Sequence, residues 1–441
     1  MTESVPTFPD KLPIQPWLHP PHGQIRVPGS KSITNRALIL SALAGPTESH
    51  GSTVLTGPLQ SEDVEVMIDS LGKLGIAVKA DWQEPRLEVA ASSGQWANDS
   101  ADLFVANSGT TMRFLTAMVS LRPGKYRLDG IERMRERPIA DLLSALSQLG
   151  VEAKSESDNG CPPVLVETKG LAGGTVRIRG DVSSQFLSGL LMAAPLARED
   201  VTIEMDGPLV SWPYVEMTIR MMRQFGAIVD VEDKQRFRIP GAQKYQAQTY
   251  AIEPDASAAS YFAGIAAILG GEMLLLGLSS ESLQGDIRFP DVLRQMGCTI
   301  EETEAGLSIR GGKLKGIDVD MNDISDTVMT LGAIACFADG PTTIRNVGHI
   351  RHKETDRLTA MANELRKVGV TVEEWDDGMK ITPGPLHGAE IETYNDHRMA
   401  MSMALVGLQV PDVVICNPEC VVKTYPRFFD DLETLRLQAD Q

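Results

Sequence analysis

Residues 349–358, HIRHKETDRL, crowd Lys353, Glu354, Asp356 and Arg357 into one short stretch. A carboxyl group among cations ionises readily, and it acts as an acid near neutral pH only if burial or a bound anion raises its pKa. Thr355 and Asp356 are candidate helix-start residues, with Lys353 and Glu354 just before them; if the whole segment is helical, Lys353 and Arg357 share a face, as do Glu354 and Arg357, so the two cations call for Glu354 or a bound anion between them. Residues 395–398, NDHR, set an acid, an imidazole and a guanidinium side by side, and Lys423 follows in VKTYP. Asp326, in ISDTVMT, joins Glu354, Asp255 and His397 as a candidate acid or base.

A second group of polar residues lies earlier in the chain. Residues 28–44, PGSKSITNRALILSALA, place Ser30, Lys31, Ser32, Thr34, Asn35 and Arg36 ahead of an apolar run. The first N–H groups of a helix lack partners and the helix dipole is positive there, so such a start accepts an anion. Side chains tilt toward the helix N-terminus, which lets Arg36 reach back to that mouth. In NSGTTMR (107–113), Gly109 permits close approach of a ligand to the backbone. In MRERP (134–138), a proline-fixed loop aims Arg135 and Arg137. These cations exceed what one monophosphate needs. GxxxxGK[ST] is absent, and no GxGxxG opens a helix after a strand. Two small anions held side by side are the simpler inference, and a transfer between them gains from positioning and electrostatics.

The elements that must position these groups recur along the chain. Five times an amphipathic helix runs into a glycine and then a β-prone segment, at Gly75, Gly150, Gly226, Gly297 and Gly369, about every 70–76 residues. A sixth helix, FFDDLETLRL, comes without its strand. Between these lies a second series: polar clusters opening small-residue apolar helices at SKSITNR, NSGTTMR, DVSSQF, PDASAAS, ISDTVMT and NDHRMAM. Such helices are apolar nearly all round and are expected to be buried. Their Ser, Asp and Asn starts are good caps. Capping does not require Lys31, Arg36, Arg113, Gln185, His397 or Arg398 beside them, so the set reads as anion-ready helix ends facing one cleft.

Composition narrows the classes of partner. The chain has 441 residues and a formal net charge of -18, which argues against nucleic acid or an anionic membrane as main partner. The Pro-rich start MTESVPTFPDKLPIQPW lacks an apolar signal-peptide core, and no apolar run approaches the roughly 20 residues a spanning helix needs. The five cysteines contain no CxxC pair and fit buried thiols in a reducing, cytoplasmic setting. No His/Cys cluster has zinc spacing.

PGSKSITNR, NSGTTMR, MRERP, DVSSQF, HKETDRL, YNDHRMAM and VKTYP, in this order and spacing, resemble the 5-enolpyruvylshikimate-3-phosphate synthase family of enolpyruvyl transferases. The resemblance implies an α/β fold of six βαβαββ units, three per domain. One domain would span 29–253 and the other 1–28 plus 254–441, with the active site in the cleft between them. It implies transfer of the enolpyruvyl group of phosphoenolpyruvate to the 5-hydroxyl of 3-phosphoshikimate by a cytoplasmic monomer, on the shikimate pathway to chorismate and aromatic amino acids. Neither a metal nor an organic cofactor is implied, and the partners are the two small-molecule substrates.

By the same resemblance Lys31, Ser32, Arg36, Ser183, Ser184, Gln185, Ser211, Tyr214, Asp326, His349 and Lys353 match 3-phosphoshikimate contacts. Lys31, Gly109, Arg137, Gln185, Arg357, Arg398 and Lys423 match the phosphoenolpyruvate side. Asp326 matches the proton acceptor, Glu354 the donor to the methylene carbon, and Lys31 is shared by both ligands. His349 stands where the family has an Asn contact, Phe114 where many members have Pro, and Thr111 where small residues are common. The phosphoenolpyruvate site is also where glyphosate sits in this family; Phe114 is expected to alter that fit, but the retained Gly109 leaves space for the inhibitor, so sensitivity is expected. A related family, the UDP-N-acetylglucosamine enolpyruvyl transferases, usually carries a reactive Cys just before the Arg-Pro represented here by Arg137-Pro138. This chain has none there. A non-catalytic anion-binding protein of the same fold is expected to have lost Lys31, Asp326 or Glu354, and all three are present.

Overall fold

A computed structural model describes residues 7–440, so the first six residues of the Pro-rich start and the last residue of the second expected domain lie outside the described residues. The chain forms two compact units: Gly29–Ile252, and the residues up to Pro28 together with those from Glu253 onward. The expected boundary after residue 253 falls one residue late. The Glu253 carboxylate accepts from the Leu283 amide and the Gln284 side chain, which ties it to the discontinuous unit.

The continuous unit holds helices α1 (Lys31–Leu43), α2 (Glu62–Leu74), α3 (Gly109–Val119), α4 (Ala140–Gln148), α5 (Ser184–Ala193) and α6 (Trp212–Gln224). Its three four-stranded sheets share one pattern, a parallel pair followed by two antiparallel steps. In the first, Thr249–Ala251 lies parallel to Ser52–Thr56, which pairs antiparallel with Arg86–Ala90. The odd-numbered helices α1, α3 and α5 are buried along nearly their whole length. The even-numbered α2, α4 and α6 bury one face.

The discontinuous unit repeats this with α7 (Ala256–Leu269), α8 (Phe289–Met296), α9 (Val328–Ala335), α10 (Arg357–Lys367), α11 (His397–Ala404) and α12 (Phe428–Ala439). Two of its sheets are four-stranded with the same pattern. The third is three-stranded: Glu390–Ile391 runs parallel to Val414–Cys416, and the antiparallel partner, Lys11–Pro13, comes from the start of the chain. Lys11–Pro13 thus takes the inner antiparallel place that the second strand after the helix holds in the other sheets, and among the described residues the outer place, that of the strand expected to be missing from the sixth copy, has no strand.

All five repeat glycines take positive φ at the ends of α2, α4, α6, α8 and α10. That conformation costs glycine little and lets the chain turn directly into the next strand. None of the five cysteines is in a disulfide. No helix among the described residues is long and apolar enough to cross a membrane.

Candidate active site

In the discontinuous unit the buried helices bring carboxylates and cations together at their N-terminal ends. The Asp326 carboxylate lies 2.9 Å from Arg398, 3.2 Å from Arg357 and 3.7 Å from Lys353. Glu354 pairs with Arg357 at 2.8 Å and approaches Lys423 at 4.0 Å. Arg357 is 1% exposed, and its Nε donates to Asp396 at 2.7 Å. Burial opposes the Arg357 charge, but the carboxylates of Asp396, Glu354 and Asp326 outweigh it and hold its pKa above the ordinary guanidinium range. Lys353, Arg357, Arg398 and Lys423 gather around the carboxylates of Asp326, Glu354 and Asp396 here.

Local structure explains the aim of each group. Asp396 caps α11 by accepting from the Arg398 amide at 2.9 Å while it holds Arg357 of α10, so one carboxylate fixes two helix starts. The continuous helix considered for Lys353–Arg357 is not formed. Gly348–His352 is a 3-10 turn, Lys353 is extended, and α10 begins at Arg357 with Asp356 as its cap. Glu354 still reaches Arg357, because the turn folds back onto the helix start. His349 is buried, and desolvation reinforced by the Lys353 charge pushes its pKa down to about 3, so its ring is neutral. His397 is fully buried on α11, 3.6 Å from Asp396, and Asp255 caps α7 through the Ala258 amide.

In the continuous unit Lys31, the first residue of α1, faces the buried Asp63 of α2 at 3.2 Å. Arg36 is 1% exposed and donates to Thr218, to Ser188 and to the carbonyls of Ser32 and Tyr214. Burial lowers its pKa to about 9, against a smaller raising effect of Tyr214. Its guanidinium lies over the Phe114 ring of α3, and Arg113 of α3 lies over Phe186 of α5. Gly109 opens α3, and a Cβ there would stand 2.6 Å from Arg137 and 3.0 Å from Arg113. Arg137, buried, donates to the carbonyl and side chain of Asn107 at 2.9 and 3.1 Å. Its neighbour Arg135 pairs with Asp129 and is half-exposed. Ser183 caps α5 through the Gln185 amide, with Ser184 as the first helical residue. Ser211 precedes α6 at φ 54°, and its hydroxyl does not cap that helix.

The sequence pointed to no role for Asp63 or Asn107, marked Asp396 only as the acid of NDHR, and tied Phe114 to the phosphoenolpyruvate side and not to Arg36. The acidic first turn of α2 held a signal for Asp63, whereas the Asn107–Arg137 and Phe114–Arg36 pairings join distant segments.

The fold and these cation-rich helix starts define the class of two-domain enolpyruvyl transferases. Two solved structures of EPSP synthase from Acinetobacter baumannii match with a TM-score of 0.79. One is 26% identical and covers 97% of this chain and 98% of that one; the other is 25% identical and covers 96% and 98%. The family model described as EPSP synthase (3-phosphoshikimate 1-carboxyvinyltransferase) matches residues 19–432, and the chain belongs to that family. Relatives named 3-phosphoshikimate 1-carboxyvinyltransferase include one from Nostoc punctiforme, 48% identical over 96% of this chain and 100% of the relative. Another, from Vibrio atlanticus, is 46% identical over 97% and 100%.

Proposed function

We propose that this chain transfers the 1-carboxyvinyl group of phosphoenolpyruvate to the 5-hydroxyl of 3-phosphoshikimate. The products are 5-O-(1-carboxyvinyl)-3-phosphoshikimate and phosphate, on the shikimate route to chorismate and the aromatic amino acids. The observation that carries the reading is the Asp326 carboxylate set among Lys353, Arg357 and Arg398, with Glu354 on the same guanidinium. Family membership supplies the identity of the substrates.

In this reading Arg357, Arg398 and Lys423 hold phosphoenolpyruvate, with Gly109, Arg137 and Gln185. Ser32, Arg36, Ser183, Ser184, Gln185, Ser211, Tyr214, His349 and Lys353 hold 3-phosphoshikimate, and Lys31 serves both. Asp326 takes the proton of the 5-hydroxyl as its oxygen bonds to C2 of phosphoenolpyruvate, and Glu354 gives a proton to the methylene carbon. The tetrahedral adduct then loses a methyl proton and the phosphate C–O bond breaks, which restores the double bond. The cations stabilise charge as it shifts to the departing phosphate. The chain works as a cytoplasmic monomer and needs no cofactor.

The test is product analysis by mass and NMR after incubation with both substrates. The reading expects one carboxyvinyl group on the 5-oxygen. A product formed with UDP-N-acetylglucosamine instead would overturn it.

A further inference from the structure

We infer that Phe114 is a positioning residue for acceptor binding, whose ring holds the Arg36 guanidinium at the start of α1. The inference rests on the proposed reaction, in which Arg36 holds 3-phosphoshikimate. The Cζ atom of Arg36 lies 5.1 Å from the centroid of the Phe114 ring, and both side chains are 1% exposed. Every hydrogen-bond acceptor around Arg36 is neutral: the hydroxyls of Thr218 and Ser188 and the carbonyls of Ser32 and Tyr214. Among the described residues no carboxylate lies within ion-pair reach of it, unlike Lys31, which has Asp63, or Arg357, which has three.

A desolvated cation over an aromatic face is the setting in which the ring quadrupole counts most. The ring therefore does part of what a carboxylate would do, without neutralising the charge or competing with an incoming anion. It also fixes direction. Thr218 holds Nε, and Ser188 and Tyr214 hold one terminal nitrogen. The other terminal nitrogen, Nη1, carries two N–H groups and meets one acceptor, the Ser32 carbonyl in the first turn of α1. With the guanidinium over the ring, the bond from this nitrogen to the Ser32 carbonyl keeps it at the helix start that carries Lys31 and Ser32. A hydrogen bond of 2.7 Å from Asn35 to Thr110 locks α1 to α3 and keeps ring and guanidinium in register.

The test compares steady-state phosphate release in the wild-type chain, in Phe114→Leu, and in chains with mono-, di- and trifluorinated phenylalanine at position 114. Fluorine drains the ring face of electrons and barely changes its volume. The acceptor KM is expected to climb with each fluorine and to rise about tenfold in Phe114→Leu, equivalent to about 1.4 kcal/mol. The donor KM and kcat are expected to stay within about twofold. A donor KM rising in step would mean that α3 has shifted, and it would overturn the inference, as would an acceptor KM indifferent to fluorination. A wild-type chain that releases no phosphate would remove the proposed reaction and this inference with it, before any variant is made.

Discussion

The Asp326 carboxylate lies 2.9 Å from the guanidinium of Arg398 because Asp326, unlike its counterparts in the other repeats, is not a helix cap. Ser30, Ser108, Ser183, Asp255 and Asp396 each accept a backbone N–H at the start of a buried helix. At the remaining start, the fifth in chain order, a kinked 3-10 segment, Asn322–Thr327, runs into α9 with no side-chain cap. The carboxylate is left to the cations of α10 and α11. Asp326→Asn keeps the shape and removes the base, so kcat is expected to fall about 10²–10⁴-fold. Saturating initial rates check this. A kcat within threefold of wild type would remove Asp326 from proton transfer.

Asp396 and Arg357 form a fully buried pair at 2.7 Å. Removing one partner of a buried pair typically costs about 3–5 kcal/mol when the other charge is left uncompensated; Glu354 and Asp326 still face Arg357, so the low end of that range applies. Asp396→Asn is expected to lose stability on that scale in urea unfolding and to raise the phosphoenolpyruvate KM by loosening Arg357. Unchanged unfolding would mean that Glu354 and Asp326 suffice for Arg357.

Gly109 is fixed by space. An added Cβ would stand 2.6 Å from the Arg137 terminal nitrogen, closer than real contacts allow. Gly109→Ala is expected to push Arg137 aside and to raise the phosphoenolpyruvate KM about tenfold or more, with the 3-phosphoshikimate KM nearly unchanged. Equal changes in both constants would contradict the assignment of this corner to the donor.

His349 has a folded pKa of about 3 against an ordinary value of 6.5, because burial and Lys353 disfavour its charged form. The unfolded chain binds that proton first on acidification. Stability is therefore full above the unfolded value and is lost as pH falls from there toward the folded pKa, by up to about 1.4 kcal/mol per pH unit. Unfolding measured at about pH 7 and about pH 5 is expected to show a smaller loss in His349→Asn than in wild type, by about 2 kcal/mol. An equal loss would show that His349 does not stay neutral.

Much of this architecture was legible because it is periodic and local. Glycine after an amphipathic helix marks a left-handed cap wherever it occurs, and the helix–Gly–strand expectation holds at Gly75, Gly150, Gly226, Gly297 and Gly369. Polar clusters before apolar runs did mark the buried helices, because one side chain both caps the helix and stays near its mouth. What was hidden depends on distance in sequence. Lys11–Pro13 completes a sheet near the far end of the chain, and Asp63 reaches Lys31 from the next helix. The Phe114 ring meets Arg36 across two helices, which no spacing rule predicts. The stretch around Lys353 was legible in part: Asp356, a strong cap, starts α10 at Arg357 as its residue type suggests, whereas the helical face shared by Lys353 and Arg357 does not form because Lys353 lies before that cap.

The most direct measurement is the initial rate of phosphate release with 3-phosphoshikimate and phosphoenolpyruvate together, with each omitted, and with UDP-N-acetylglucosamine in place of the first. The proposed reaction predicts release only when both substrates are present, and none with the nucleotide sugar. Release from phosphoenolpyruvate alone, or with the nucleotide sugar, would contradict it.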